Sequence, residues 1–214
     1  RDSCKEEFRT LAGLEVGDTI FFMADKEERA AYYAGMIRNE LGEKLDLIEK
    51  NAYRFCYVND FPMFEKDPET KKIGFTHNPF SMPQGGLEAL NTMDPLDILA
   101  YQYDIVCNGV ELSSGAVRNH DMQIMEKAFE IVGYDKEVLK NKFGALYTAF
   151  QYGAPPHAGM APGVDRMIML LRNEENIREV IAFPMNGNAQ DLMCGAPNEV
   201  TEQQLREVHI KVRD

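Results

Sequence analysis

The apolar and polar positions of the first part of the chain predict a short unit with few elements. Apolar residues recur at helical spacing from Glu27 to Leu41, which predicts a helix that ends near Gly42. Residues 19–24 are rich in β-branched and aromatic side chains and predict a strand. With one more short helix at the start, residues 1–43 have too few elements for a core of their own.

A β-hairpin is the clearest element of the second part. Two runs of strand-forming residues flank Asn108-Gly109, which is the strongest short-range hairpin signal. A two-residue turn there pairs Asp104 with Ser113. It also places Glu111 diagonally from Asp104, on the same face of the hairpin.

Helical patterns follow the hairpin. Asp121 is placed to cap a helix that runs to Val132, and Asp135 to cap another that has Phe150 on its buried side. Residues 81–86 are rich in proline and glycine and predict a mobile loop. Strands arrive as hairpins and helices cluster between them, without βαβ alternation. The fold class predicted is therefore α+β, an antiparallel sheet flanked by helices.

The paired acids of the hairpin suggest chemistry. Two carboxylates this close repel each other unless a cation lies between them or one is protonated. Mg²⁺ takes one or two carboxylates together with substrate phosphates. We interpret Asp104 and Glu111 as a metal–phosphate site. Considered alone, such a hairpin is more often an ordinary solvated sheet face.

Arg118 is the second candidate. It lies an odd number of residues from Glu111, so an uninterrupted strand would place the two on opposite faces. A bulge within residues 113–115 would bring the guanidinium to the carboxylates, where it can bind a substrate carboxylate bidentately. A lone arginine at a strand end is otherwise usually a surface residue.

A glycine-rich segment and a histidine complete the candidates. Small residues before Gly163 let the backbone approach a ligand, and an apolar helix begins directly after it. The helix dipole favours Asp165 in the first turn but not Arg166, so Arg166 indicates a nearby base or phosphate. His77 precedes the breaker-rich loop, although lone histidines are more often structural.

Composition narrows the function classes. The 214 residues are 44% hydrophobic, which suits an ordinary folded domain, and no apolar run approaches the roughly 18 residues of a membrane helix. A net charge of −12 argues against a main nucleic-acid-binding surface on this segment. The four cysteines show no CxxC spacing and predict reduced thiols in a cytoplasmic protein.

Taken together, these motifs resemble the C-terminal part of bacterial-type aspartyl-tRNA synthetases, which are class II aminoacyl-tRNA synthetases. The resemblance covers nearly the whole chain in the right order, and its glycine-to-arginine run resembles motif 3. The matching landmarks are residues 60–65, 77–80, 103–118, 154–159, 163–166 and 177–184.

The resemblance implies a six- or seven-stranded antiparallel sheet flanked by helices. It also implies that residues 1–43 are the tail of the domain inserted in bacterial-type enzymes and that residues 44–214 are the C-terminal part of the catalytic domain. The activity implied is activation of L-aspartate with ATP and Mg²⁺, followed by transfer to tRNA-Asp by a cytoplasmic homodimer. Such chemistry needs positioning and charge neutralisation rather than a protein nucleophile.

The matching positions imply a role for each candidate. Asp104 and Glu111 would hold Mg²⁺, and Glu111 and Arg166 would be the catalytic residues. Arg118 would bind the side-chain carboxylate of aspartate, and His77 would close over the amino acid. The residues implied to bind ATP are Glu111, Gly163, Val164, Asp165 and Arg166.

Two departures from the family pattern leave specificity open. Many members have His-His-Pro-Phe where this chain has Asn78 after His77, and a glycine triplet with serine at residues 113–116. The form here resembles a subset that charges both tRNA-Asp and tRNA-Asn. The alternatives are a noncatalytic nucleotide- or adenylate-binding module derived from a synthetase, and an asparagine or lysine enzyme. Arg118 argues against lysine, and asparagine would not need a full guanidinium charge.

The resemblance places the anticodon-binding β-barrel, motif 1 and the ATP-binding arginine of motif 2 before residue 1. We therefore predict that residues 1–214 alone catalyse little or no aspartate-dependent ATP–pyrophosphate exchange. An exchange rate near that of an intact synthetase would contradict this. A motif 2 arginine encoded in frame upstream would favour an enzyme over the noncatalytic module.

Overall fold

The computed structural model describes residues 4–213, which form two compact units, one ending at Ala52 and the other beginning at Tyr53. The sequence suggests a boundary after residue 43, and the assignment of the first part to an inserted domain stays a prediction. None of the helices in the described part of the chain is both long enough and apolar enough to cross a membrane.

The first unit contains two helices, α1 (Lys5–Ala12) and α2 (Glu27–Lys44). Gly42 lies inside α2, so the expectation that the helix ends there is wrong by about half a turn. The strand predicted at residues 19–24 is also wrong, because these residues are irregular and pair with no strand among the described residues. Strand propensity without a partner strand does not make a sheet.

The second unit has the α+β architecture that the sequence predicts. The main sheet has the order β1-β4-β5-β6, and all its neighbours are antiparallel. The described residues thus form four strands of it, rather than six or seven. The strands are β1 (Phe55–Pro62), β2 (Phe64–Lys66), β3 (Ile73–Phe75), β4 (Leu99–Cys107), β5 (Val110–Val117) and β6 (Ala158–Pro162), with β2 and β3 in a separate pair. The helices are α3 (Gly86–Thr92), α4 (Met122–Ile131), α5 (Lys136–Gln151), α6 (Val164–Arg172) and α7 (Glu202–Glu207).

The two predicted helix caps are confirmed. The Asp121 carboxylate accepts hydrogen bonds from the backbone N–H groups of the first turn of α4, at 2.7 and 3.2 Å. Asp135 caps α5 by accepting from the N–H of Val138 at 2.8 Å. Each cap satisfies donors that a helix start leaves unpaired. Gly133, at φ +86°, closes α4 as expected.

Helices α4 and α5 pack around a ring cluster centred on Phe129, which is 1% exposed. Its ring contacts those of Phe75, Phe80, Tyr134 and Phe143 at centroid distances of 5.0–6.0 Å. Phe80 belongs to the segment after His77, so this cluster fixes one end of that segment.

A polar contact joins the same two helices at Glu126. Its carboxylate lies 2.6 Å from Lys136 Nζ and accepts a hydrogen bond of 2.7 Å from the Tyr147 hydroxyl. Partial burial acts to raise the pKa of Glu126. The hydrogen bonds from Lys136 and Tyr147 outweigh it, so the pKa lies below the ordinary value of a glutamate.

The breaker-rich segment at residues 81–86, where the sequence predicts a mobile loop, is anchored to the sheet. Ser81 is fully buried and Pro83 is almost so. Met82 donates from its N–H to the Val117 carbonyl and accepts from the Tyr101 N–H, both at 2.9 Å. The segment therefore lies between the ends of β4 and β5 and is held by their backbone groups.

Gly115 in β5 is enclosed by two neighbouring strands. A Cβ at this position would lie 2.5 Å from the Gly159 carbonyl oxygen and 2.5 Å from the Tyr103 ring. The Tyr103 hydroxyl crosses above it and donates to that same carbonyl at 3.0 Å. Only glycine leaves room for this arrangement, which ties β4, β5 and β6 together.

We predict that Gly115→Ala destabilises the second unit by about 1–3 kcal/mol, because the methyl group must displace the β6 backbone or the ring. The matched control is Gly144→Ala in α5, where an added Cβ meets nothing within 4 Å. The control should be neutral or up to about 1 kcal/mol more stable. Denaturant midpoints followed by circular dichroism measure both. Equal midpoints for wild type and Gly115→Ala would contradict the steric account.

Candidate active site

The hairpin turn forms as the sequence predicts. Asn108 and Gly109 have φ of +50° and +81°, the left-handed pair that a type I′ turn requires. Cys107 pairs with Val110 across the turn. The Asn108 side chain also accepts a hydrogen bond of 2.9 Å from the Arg54 N–H, which fixes the turn to the start of β1.

The register changes two residues beyond the turn. Glu111 pairs with Val106, but Ser113 pairs with Ile105, so Leu112 is an extra residue in β5. The expected pairing of Asp104 with Ser113 is therefore wrong. The bulge begins at Leu112, just before the stretch of residues 113–115 where the sequence suggests it.

This bulge places the predicted charged residues on one face. With one extra residue between them, Glu111 and Arg118 lie on the same side of the sheet. They line a cavity of about 320 Å³. The residues around it include His77, Gln102, Asp104, Glu111, Ser114 and Arg118. Leu112 instead lines an apolar groove with Met167 of α6.

Arg118 is held by its backbone and has a free side chain. Its N–H donates to the His157 carbonyl at 2.9 Å, and it forms a β-bridge with Ser81. The residue is half-buried, and within residues 4–213 its guanidinium makes no hydrogen bond or ion pair. A partly buried, unpaired cation favours an anionic ligand, and its fork of donors suits a carboxylate.

The carboxylates occupy another part of the same cavity lining. Asp104 is half-buried in β4 and Glu111 is exposed. No group of three or more His, Cys, Asp or Glu side chains is placed to hold a metal in the described chain. Two oxygen donors are too few for a metal site made by the protein alone. They do fit Mg²⁺ held largely by substrate phosphates and water.

The glycine-rich segment reaches the hairpin through the bulge. The Gly163 N–H donates to the Leu112 carbonyl at 2.7 Å, so the start of α6 lies against β5. Arg166 Nη1 donates to the Glu111 carbonyl at 2.6 Å and lies 3.2 Å from the Glu111 carboxylate. Both of these side chains are nearly half exposed, so the ion pair contributes little to stability.

Not all predicted residues line the cavity. Gly163, Val164 and Asp165 lie outside it, and Val164 is 64% exposed. Arg166 reaches it only through its contact with Glu111. The predicted roles of these four residues in ATP binding are therefore not explained by the cavity itself.

His77 stands at the cavity edge, and sequence reasoning missed the residue behind it. The His77 ring meets the Phe61 ring edge to face at 5.3 Å. Gln102, only 7% exposed, lines the cavity and donates from Nε2 to Ser81 Oγ at 2.8 Å. The sequence did contain a signal for Gln102: alternate residues of a strand share a face, so residue 102 lies on the same side of β4 as Asp104.

The comparisons with known proteins agree with these landmarks. Residues 2–187 match the family model for class II tRNA synthetases (D, K and N). The chain is 64% identical over 200 residues to the aspartate–tRNA(Asp/Asn) ligase of Zymomonas mobilis, covering 94% of this chain and 34% of that protein. It is 60% identical over 207 residues to the aspartate–tRNA ligase of Streptomyces coelicolor, covering 97% and 35%.

Among solved structures, an aspartyl tRNA synthetase from Entamoeba histolytica matches with a TM-score of 0.48 and 24% identity, over 87% of this chain and 31% of that one. The chain spans about a third of the length of the curated relatives it matches. The family match extends over most of the 214 residues. This chain therefore belongs to the class II tRNA synthetases of the D, K and N group.

Proposed function

We propose that this chain is part of an aspartate–tRNA ligase, which activates L-aspartate with ATP and transfers it to tRNA-Asp. The observation that carries the proposal is the half-buried, unpaired guanidinium of Arg118 in a cavity shared with Asp104 and Glu111. A cation and two acids in one small cavity suit a substrate pair that brings both a carboxylate and phosphates.

The amino acid lies at the Arg118 end in this proposal. The guanidinium binds the side-chain carboxylate through two parallel hydrogen bonds, and backbone contacts to His157 and Ser81 hold that residue in place. His77 stands at the edge of the same cavity and closes over the bound amino acid. A neutral asparagine side chain would leave the guanidinium charge uncompensated, which favours aspartate.

The nucleotide lies at the hairpin end. Asp104 and Glu111 would hold Mg²⁺, which would neutralise charge at the phosphates when bound. Arg166 exchanges its contact with the Glu111 carboxylate for the γ-phosphate and the adenine. The start of α6, residues 163–165, lies beside it and binds the rest of ATP. The Gly163 N–H is already hydrogen-bonded to the Leu112 carbonyl, so the N–H groups offered to an anion are those of Val164 and Asp165.

The reaction needs only alignment and charge stabilisation from these residues. An α-carboxylate oxygen of aspartate attacks the α-phosphorus of ATP, and the bond to pyrophosphate breaks, giving aspartyl-adenylate. A hydroxyl of the terminal ribose of tRNA then attacks the aspartyl carbonyl and releases AMP. No step requires a protein nucleophile, and Glu111 and Arg166 act by holding charge.

The tRNA range and the assembly extend the proposal. The Zymomonas mobilis and Gluconobacter oxydans relatives are named as ligases for both tRNA-Asp and tRNA-Asn, which favours the dual range for this chain. We propose that the complete protein is a homodimer in the cytoplasm, as the family resemblance implies. The acidic charge of −12 implies that most tRNA contacts lie on other parts of the complete protein.

A noncatalytic adenylate- or nucleotide-binding module is the second candidate. It would use the same cavity, because Arg118, Asp104 and Glu111 bind ligands whether or not a reaction follows. The two differ in turnover. Aspartate-dependent ATP–pyrophosphate exchange by the complete gene product containing these 214 residues supports the ligase, and binding of aspartate and ATP without exchange supports the module.

Replacing Arg118 tests the proposed substrate assignment. In the complete gene product, Arg118→Leu should raise the KM for aspartate about 100-fold, because two charge-assisted hydrogen bonds of about 1.5 kcal/mol each are lost. The KM for ATP should change less than about threefold. Arg118→Lys should recover only part of the loss, since an ammonium cannot bind bidentately. All are measured by pyrophosphate exchange.

The control is Arg206→Leu on α7, an exposed arginine far along the chain from the cavity, which should leave both constants unchanged. Equal losses of aspartate and ATP affinity in Arg118→Leu would refute the role of Arg118 in amino-acid binding. Absence of any aspartate dependence in the wild-type exchange would refute the proposed substrate.

A further inference from the structure

Gln102 is a buried polar residue whose position on β4 puts it in the cavity wall. It is 7% exposed and lies two residues before Asp104 on β4. Its cross-strand partner on β5 is Ala116. An amide in such surroundings is costly unless its hydrogen bonds are made. The partners that Gln102 uses therefore show what the residue holds in place.

Both partners of the Gln102 amide lie in the turn that follows His77. Nε2 lies 2.8 Å from Ser81 Oγ and 3.4 Å from the Asn78 carbonyl oxygen. Ser81 is fully buried, so its hydroxyl cannot exchange this partner for bulk water. The side chain thus joins the centre of the sheet to both ends of a four-residue turn.

The orientation of the amide follows from these contacts. A backbone carbonyl only accepts hydrogen bonds, so the nitrogen of Gln102 must face Asn78 and the oxygen must face away. Within residues 4–213 that oxygen has no protein donor, and it is not among the polar atoms sealed from solvent without a partner. The nitrogen is therefore committed to the turn, and the oxygen borders the cavity.

The turn itself has few other attachments on its His77 side. The Asn78 side-chain oxygen accepts a hydrogen bond of 2.9 Å from the Phe80 N–H, so this contact stays within the turn and does not reach the sheet. The backbone carbonyl of Asn78 also accepts a hydrogen bond of 3.2 Å from the Ser81 N–H, again within the turn. His77 contacts the Phe61 ring but makes no side-chain hydrogen bond to the described residues. Gln102 supplies the side-chain tie from the sheet to this turn.

We propose that Gln102 is a positioning residue for amino-acid binding, acting through Ser81 and the Asn78 carbonyl to hold the turn that carries His77 at the cavity. This inference rests on the proposed function. Loss of the amide loosens the His77 end of the turn, while the Phe80 ring cluster still holds its other end. Binding of the amino acid, which depends on His77, is then weaker. The same loss leaves the hairpin acids and Arg166, on the nucleotide side, unchanged.

The test is a set of variants in the complete gene product. Gln102→Met keeps the length of the side chain and removes its hydrogen bonds. The KM for aspartate should rise about tenfold, the effect of losing roughly one well-placed hydrogen bond, while the KM for ATP stays within about twofold. The aspartate-induced rise in melting temperature should shrink in parallel. Gln123→Met, an exposed glutamine on α4, should behave as wild type.

A double-mutant cycle separates positioning from a general structural defect. Ser81→Ala should also raise the KM for aspartate, but by no more than Gln102→Met, because the contact of Gln102 with the Asn78 carbonyl remains. The double variant Ser81→Ala/Gln102→Met should be no worse than Gln102→Met alone, because that substitution already removes the link to Ser81. If the KM of the double variant instead rose by the product of the two single rises, the proposal that Gln102 acts through Ser81 would be wrong. Equal rises in both KM values would reduce Gln102 to a structural residue.

The outcomes also separate the two proposals. An active wild type with an unchanged aspartate KM in Gln102→Met overturns the positioning role alone. A wild type without aspartate-dependent exchange, and without an aspartate-induced shift in melting temperature, overturns the proposed function and this inference with it.

Discussion

One extra residue in β5 determines which way the charged groups of this molecule face. Leu112 has no partner on β4, so the side chains after it are displaced by one step, and Arg118 lies on the face that carries Glu111. Two backbone carbonyls at the bulge also accept hydrogen bonds from outside the hairpin. Glu111 receives Arg166 there and Leu112 receives the Gly163 N–H. A local irregularity thereby joins two segments that lie some fifty residues apart.

The cavity is electrostatically divided. An unpaired arginine lies in one part and two carboxylates lie in another, where Glu111 also forms an ion pair with Arg166. Because that pair is nearly half exposed, rearranging it costs little, whereas Arg118 sits deeper and has no partner to lose. Such a division suits the proposed pair of substrates, because a carboxylate would lie at the cation and phosphates would lie near the acids.

Features set by neighbours in sequence could be predicted, and features set by distant contacts could not. The Asn108-Gly109 turn and the cap at Asp121 follow from local chemistry and form as expected. Leu112 at the bulge is hydrogen-bonded to Gly163, and the segment that contains the buried Ser81 is held by β4 and β5. Local composition shows neither of these distant contacts.

The candidate site divides in the same way. His77, Asp104, Glu111 and Arg118 are found together in one cavity wall, as the motifs indicate. Gln102 was missed because an isolated glutamine in a strand resembles any polar residue on a solvated face. Its significance comes from Ser81, which lies 21 positions earlier in the chain. Charge and spacing on the hairpin indicate a metal–phosphate role for Asp104 and Glu111 and a carboxylate-binding role for Arg118. The role of His77 and the identity of the substrates follow only from the family resemblance.

The contact between Tyr103 and Gly115 has a consequence for strand alignment. If β5 slipped by two residues, Ser113 or Val117 would lie beneath the Tyr103 ring, in space that only a glycine leaves open. Such a slip would keep every side chain on its proper face, so hydrophobic patterning alone would not prevent it. The contact of the ring with the glycine therefore permits only one register of β4, β5 and β6. That register sets the spacing of the charged groups along the sheet.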